Sequence, residues 1–189
     1  MNQIAKWADN HKTRFNEQKS KAMLITRRKR KESKEIHIYL NNNNRLEQVD
    51  KLKYLGIVID TRFKFNEHIR YVTERCTNLI NALSRTAKIN WGLGHKALRT
   101  IYKGAILPLL SYGTPVWATA LERDYNLKSF KQVQRLINIR IAKSFRTTSY
   151  EALCVVTGLT PIALKLQEYV TLFHAKRNTK YKDLNVDLS

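Results

Sequence analysis

Acidic residues are scarce in this sequence: 15 Asp and Glu face 35 Lys and Arg across 189 residues. The aspartates (Asp9, Asp50, Asp60, Asp124, Asp183 and Asp187) never stand side by side, so there is no Asp-Asp pair to offer two divalent metals converging carboxylates. Only two cysteines occur, Cys76 and Cys154, far apart and in no C-x-x-C. That argues against a disulfide framework and for reduced thiols. The five histidines, His11, His37, His68, His95 and His174, are scattered without H-x-x-x-H spacing, so no zinc site is expected. Six glycines and three prolines leave no long linker, and no Gly-rich phosphate loop or internal repeat is present. Charge interrupts Ile4, Ala5, Trp7 and Ala8, so no signal-peptide core forms. The longest apolar stretch, Gly104 to Trp117, holds Pro108 and Pro115 and is too short to span a bilayer. A soluble, intracellular protein without a membrane partner is expected.

What the sequence has in abundance is positive charge, a formal +20 with a hydrophobic fraction of 43%. The apolar content suffices for a core. The charge surplus concentrates polyanions and makes nucleic acid the first partner to consider.

The fold class expected is α+β, a short β-hairpin or strand region first and a mostly α-helical bundle after. Residues 1–11 have helical spacing at Ile4, Ala5 and Ala8, with Trp7 beside them. Lys21 to Thr26 reads as a short buried strand, followed by five consecutive cations from Arg27 to Lys31, a solvated turn. Ile36, Ile38 and Leu40 alternate with polar positions, and Asn41 to Asn44 form a turn. Lys53 to Asp60 (KYLGIVID) is rich in β-branched and aromatic residues and reads as a strand, with Gly56 marking a bulge or a close backbone approach. Leu55, Ile57 and Ile59 are expected in the core.

After Asp60 the periodicity turns helical. Ile69, Val72, Cys76, Leu79, Ile80, Leu83 and Ala87 make one stripe, with Asn66 as N-cap and a stop before Gly92. A second helix carries Leu98, Ile101, Tyr102, Ala105, Ile106 and Leu109, and bends or ends near Pro108. A third carries Phe130, Val133, Ile137 and Ile141. A fourth runs from about Ser149 to Val156 with Gly158 as C-cap, and a fifth starts at Pro161. Trp7, Trp91 and Trp117 are expected as core or interface anchors, and the tail beyond Arg177 should fray.

An ordered set of short segments resembles the C-terminal part of the reverse transcriptases (RNA-directed DNA polymerases) of jockey-like non-LTR retrotransposons. These are Trp7 with Phe15 to Met23, KLKYLGIVID at Lys51 to Asp60, FKFNEHI at Phe63 to Ile69, and Leu107-Pro108, Tyr112-Gly113 and Val116-Trp117. Phe145 to Ser149, Ala152-Leu153 and Gly158 to Pro161 complete it. The resemblance implies that residues 1–62 are the C-terminal end of a polymerase palm with a primer-grip-like segment. It implies that residues 63–178 are a mostly α-helical thumb and following connection, and 179–189 a frayed tail. The family's catalytic carboxylates would lie upstream, so Mg²⁺ is expected only for a complete polymerase, with no cofactor in this chain and no polymerisation by it.

Candidate nucleic-acid contacts follow. Lys51, Lys53, Tyr54, Leu55 and Gly56 match the primer grip, where glycine lets backbone approach a phosphate and lysine supplies charge; the alternative is a buried strand with Tyr54 and Leu55 in the core. Lys128, Lys131 and Arg135 fall three and four apart on one helix face that could track a phosphate backbone; the alternative is a solubilising surface. Lys19 matches the family's lysine near the incoming nucleotide, a cation for the leaving group only in a complete enzyme; here it reads as a solvated loop residue. Expected partners are nucleic acid, RNA–DNA or duplex without sequence preference, and the missing polymerase half. A stand-alone basic helical module and an inactive pseudogene remnant are the competing readings.

Overall fold

The computed structural model describes residues 6–8, 10–13, 15–26, 35–40, 44–89 and 94–177. The cation run Arg27 to Lys31, Asn41 to Asn43, Trp91 and the tail from residue 178 lie outside them. The described chain is mostly helical with a few short strands, an α+β protein. It divides into two compact units, Met1–Glu67 and His68–Ser189.

In the first unit a 3₁₀ turn, Glu17–Lys19, leads to β1 (Lys21–Ala22). β2 (Tyr39–Leu40) and β3 (Asn44–Arg45) pair antiparallel, and β4 (Glu47–Gln48) pairs parallel with β1. The strand expected over Lys21 to Thr26 is therefore only two residues long. Its partner β4 ends at Gln48, so Met23 onward has no ladder to join; Thr26 N–H instead reaches Thr61 O at 3.1 Å. Trp7 is not core either: it is 56% exposed and stacks on His11 with ring centroids 4.4 Å apart.

KYLGIVID is a hairpin rather than one strand. β5 (Lys51–Tyr54) and β6 (Ile57–Asp60) pair antiparallel, with Tyr54 opposite Ile57 and Lys51 opposite Asp60. Leu55 and Gly56 form the two-residue turn, with φ of 46° and 85°. Two successive positive φ values match the right-handed twist of the strands in a type I′ turn, and Gly56 takes the left-handed conformation at no steric cost. After β6, Asp60 acts as a cap: Oδ1 accepts the N–H groups of Arg62 and Lys64 at 3.0 and 3.1 Å, and Oδ2 accepts that of Phe65 at 2.7 Å. Asn66, expected as the N-cap, is instead the first residue of the following helix.

That helix, α1 (Asn66–Ile89), enters the second unit and buries Ile69, Val72, Cys76 and Ile80, the stripe its sequence shows. Cys76 is a core thiol, pushed up to about 11 by burial, and neither it nor Cys154 is bridged. α2 (His95–Ile101) passes into a π-helical turn, Tyr102–Ile106, where Leu107 N–H reaches five residues back to Tyr102 O, and then into α3 (Leu107–Ser111). This widened turn directly precedes Pro108, which has no N–H to donate and crowds the carbonyl four residues before it. Gly113, at φ 65°, reverses the chain into α4 (Thr114–Trp117). Trp117 is fully buried, its ring stacked 5.5 Å from Phe130, and its indole N–H donates to Tyr112 O at 2.8 Å. Tyr112-Gly113 and Val116-Trp117 are thus one device: a turn, a carbonyl and the ring it fixes.

α5 (Asp124–Ala142) packs against α2, α6 (Tyr150–Thr157) and α7 (Ile162–Lys176). α6 starts at the N-cap Ser149, whose Oγ accepts Ala152 N–H, and stops at Gly158 with φ 61°. Phe130, Val133, Ile137 and Ile141 of α5 are buried as their spacing predicts, and so is Gln134. Its Nε2 donates to Tyr102 Oη at 2.9 Å and Thr160 O at 2.8 Å, while its Oε1 accepts Ile162 N–H at 2.7 Å and the Tyr150 hydroxyl. Burial pushes both phenols well above their ordinary value, so both remain protonated hydroxyls, Tyr102 accepting from Gln134 and Tyr150 donating to it.

Two predictions follow from this core. Gln134→Leu removes four hydrogen bonds, taking the Gln134 partner from Tyr102 Oη and Thr160 O and leaving the Ile162 amide and Tyr150 Oη only each other, 3.1 Å apart; it should lower stability by about 2 kcal/mol or more in urea unfolding, and a loss below about 0.5 kcal/mol would show that the network contributes little. His68 is 1% exposed, its ring tilted 5.6 Å from that of Trp117. Burial lowers its pKa from 6.5 to about 4. The unfolded chain therefore binds the proton first as pH falls, so stability is fully present above pH 6.5 and is lost between there and about pH 4. His68→Phe should remove a pH-dependent loss on the order of 1–3 kcal/mol over that window. An unchanged slope would place the acid sensitivity elsewhere.

Candidate nucleic-acid interface

The β5–β6 tip is the most exposed apolar feature among the described residues of the first unit. Leu55 is 74% and Tyr54 60% exposed, so neither is core, contrary to the expectation for Leu55. The reason is the turn itself, which lifts Leu55 out of the alternation that Ile57 and Ile59 continue as half-buried residues. Residues opposite each other in an antiparallel ladder share a face, so Lys51 and Lys53 lie on one side of the hairpin and Leu52 and Tyr54 on the other. Both lysines are exposed. Lys51 Nζ sits 3.1 Å from Glu67 Oε2, an exposed pair worth roughly 0–1 kcal/mol. A phosphate could replace that carboxylate at little cost.

Leu55 is a costly choice for this turn. Asn or Asp accepts positive φ readily, whereas a branched apolar residue is strained there and, at this exposure, gains nothing from burial. Strain at an exposed position points toward function.

In the second unit Lys128 is exposed, and Lys131 and Arg135 are half-buried on the same side of α5. Lys131 Nζ lies 5.8 Å from the centroid of the Tyr150 ring. Arg135 donates to the carbonyls of Arg146 and, at 2.8 Å, Thr148. Its guanidinium thus organises the segment after α5, a role the spacing of charges alone does not reveal. Lys19 ends the 3₁₀ turn with an exposed side chain, its backbone N–H donating to Asn16 Oδ1 at 3.1 Å.

The donor set for a metal pair does not fit. Asp60 directs both carboxylate oxygens to backbone amides, and the described residues bring no three of His, Cys, Asp and Glu together. No helix among the described residues is long and apolar enough to cross a membrane.

Comparison with known proteins finds several relatives. A Pol polyprotein of the type-1 retrotransposable element R1 4 of Nasonia vitripennis is 36% identical over 126 residues, which is 67% of this chain and 32% of the relative. The chain belongs with the Pol polyproteins of non-LTR retrotransposable elements. The corresponding polyprotein of element R1 2 of the same wasp is 24% identical over an alignment of 189 residues, covering 97% of this chain and 45% of the relative. A probable RNA-directed DNA polymerase from transposon BS of Drosophila melanogaster is 32% identical over 87 residues, 43% of this chain and 9% of the relative. The retrotransposon chain thus spans less than half the length of these curated relatives. No family model matches it, and no solved structure does.

Leu55→Asn should raise stability by about 0.5–1 kcal/mol by relieving the left-handed strain. The urea midpoint measures this. A lower midpoint would show that the tip is held by leucine packing.

Proposed function

We propose that this chain is the part of a retrotransposon RNA-directed DNA polymerase that holds the template–primer. Residues 1–62 are the end of its palm, with Lys51, Lys53, Tyr54, Leu55 and Gly56 as the primer-grip-like tip. Residues 63–178 are its thumb and the connection that follows. The observation that carries the reading is the tip itself: an exposed, strained Leu55–Gly56 turn beside two exposed lysines. A glycine at such a tip permits close approach of backbone to phosphate, and the lysines neutralise it without reading bases. The formal charge of +20 supports the same partner. Polymerisation would need paired carboxylates, which this sequence does not contain.

The chain should therefore bind an RNA–DNA hybrid with little sequence preference and leave the primer unextended. Fluorescence anisotropy at several salt concentrations tests it. With about four phosphate contacts the log–log slope should be near −3.6, and Lys128→Gln with Lys131→Gln should make it shallower by about 1.8. Arg135 is left intact because it holds the neighbouring segment in place. Leu55→Asn should weaken hybrid binding while leaving the fold intact. A chain that is folded by circular dichroism and binds no hybrid at low salt would overturn the proposal.

A further inference from the structure

Between α5 and α6, at residues 143–149, the chain raises Phe145 into solvent. Its 84% exposure is the largest of any large hydrophobic side chain among the described residues. The loop that carries it is well tied. Lys143 closes α5 in the left-handed conformation, φ 50°, and its N–H and that of Ser144 both return to Ile139 O. Thr148 N–H donates to Phe145 O at 3.2 Å, closing a turn around the ring. From below, Arg135 covers the carbonyls of Arg146 and Thr148, and Ser149 caps the helix beyond.

The charged residues of the loop itself, residues 143–149, are both cations. Lys143 and Arg146 flank Phe145, both exposed, and neither forms an ion pair among the described residues. Arg140 lies one turn earlier on α5, its pKa lowered by burial and then by the charge of Arg146, so the two guanidiniums share one field. Arg135 also masks two carbonyls that would repel an anion. An exposed aromatic ring on an ordered loop, with a cation close by in sequence on either side, can take a nucleobase on its face and the adjoining phosphates on its flanks. Base pairs in a duplex have their faces covered by neighbours, so the ring can serve only an unpaired strand. The ordered loop keeps the entropic cost of such a contact low.

We propose that the α5–α6 loop is a stacking site for an unpaired base of single-stranded nucleic acid, with Phe145 under the base and Lys143 and Arg146 on the neighbouring phosphates. This rests on the reading that the chain binds nucleic acid, and it adds a second site that differs in substrate: a single strand rather than the paired template–primer.

The test compares the whole chain on a single-stranded homopolymer of about 12 nucleotides and on an RNA–DNA hybrid of the same length. Phe145→Ala should weaken single-strand binding about 10-fold and leave hybrid affinity within about twofold. Phe145→Trp should retain binding, and Phe145→Leu, apolar but without a stacking face, should behave like Phe145→Ala. Lys143→Gln with Arg146→Gln should make the single-strand salt slope shallower by about 1.4. Because the side chains are exposed, thermal melts of these variants should match the parent. If Phe145→Leu binds like the parent, the ring is covered by apolar contact, such as a protein partner offers, and the stacking site is overturned. Unchanged single-strand affinity in Phe145→Ala overturns it while hybrid binding keeps the template–primer reading intact. Equal losses on both ligands overturn the single-strand assignment, and a parent chain that binds neither overturns both proposals.

Discussion

The carboxamide of Gln134 is the constraint on which the helical unit depends. A glutamine side chain offers two N–H donors and one oxygen with two lone pairs, and here all four are used. They reach Tyr102 in the π-turn, Thr160 before α7, Tyr150 at the start of α6 and the first amide of α7. Apolar contacts between helices would tolerate sliding, since hydrophobic burial is not directional. Four directed bonds converging on one buried amide are not tolerant of sliding, because any member left unpaired in a low dielectric carries the full desolvation cost. The network therefore sets where α6 begins. With the end of α5 closed at Lys143 and the start of α6 held at Tyr150, the loop between them has both ends fixed. Arg135, the next residue along α5, then fixes the middle of that loop through its carbonyls. Adjacent residues of one helix thus order the core on one side and the exposed loop on the other.

This network also marks where the sequence stops being legible. Apolar periodicity locates α1, α5, α6 and α7, because a stripe at helical spacing has few other ways to be buried. Gln134 and Asn138 fall within the α5 stripe by spacing, and only their polarity reads as surface. Partners distant in sequence meet both: Tyr102 and Tyr150 at Gln134, and Cys154 Sγ at 3.6 Å from the Asn138 Nδ2 donor. Arg135 is misleading in the same way: spacing groups it with Lys128 and Lys131 as a basic face, and only the return of the loop shows what its guanidinium holds. In the first unit the difficulty is the turn. Leu-Gly lacks the Asn-Gly or Asp-Gly signature of a type I′ hairpin, so Gly56 alone signals the tip and the turn type is not legible. The expected strands over Lys21 to Thr26 and at Ile36 to Leu40 are legible in place but not in length, since β1 runs only as far as its partner β4 does.

Two of the exposed apolar side chains stand on well-ordered segments at a cost to the fold. Leu55 stands at positive φ, and Phe145 stands almost fully in water. Neither is carried on a slack segment: a ladder four pairs long backs the first, and helix caps with the half-buried Arg135 guanidinium back the second. Rigid presentation of an unfavourable group is a poor bargain for stability and a good one for association, because the ordering cost is met before a ligand arrives.

The same logic extends to charge. A surplus of twenty positive charges on 189 residues repels itself and opposes compaction. Ion pairs such as Lys21–Glu47, Arg45–Glu35 and Lys165–Glu168 are exposed and offset little of it. A polyanion offsets far more, since each phosphate bound removes a repulsion and frees condensed counterions. Charge alone, however, cannot distinguish a paired from an unpaired strand, because both present phosphates. That distinction needs a group that responds to the face of a base, and among the described residues flanked by unpaired cations Phe145 is the side chain with that chemistry and that exposure. On the proposed reading, affinity would come from the lysines and arginines spread over both units, and discrimination between strand states from the one exposed ring of Phe145.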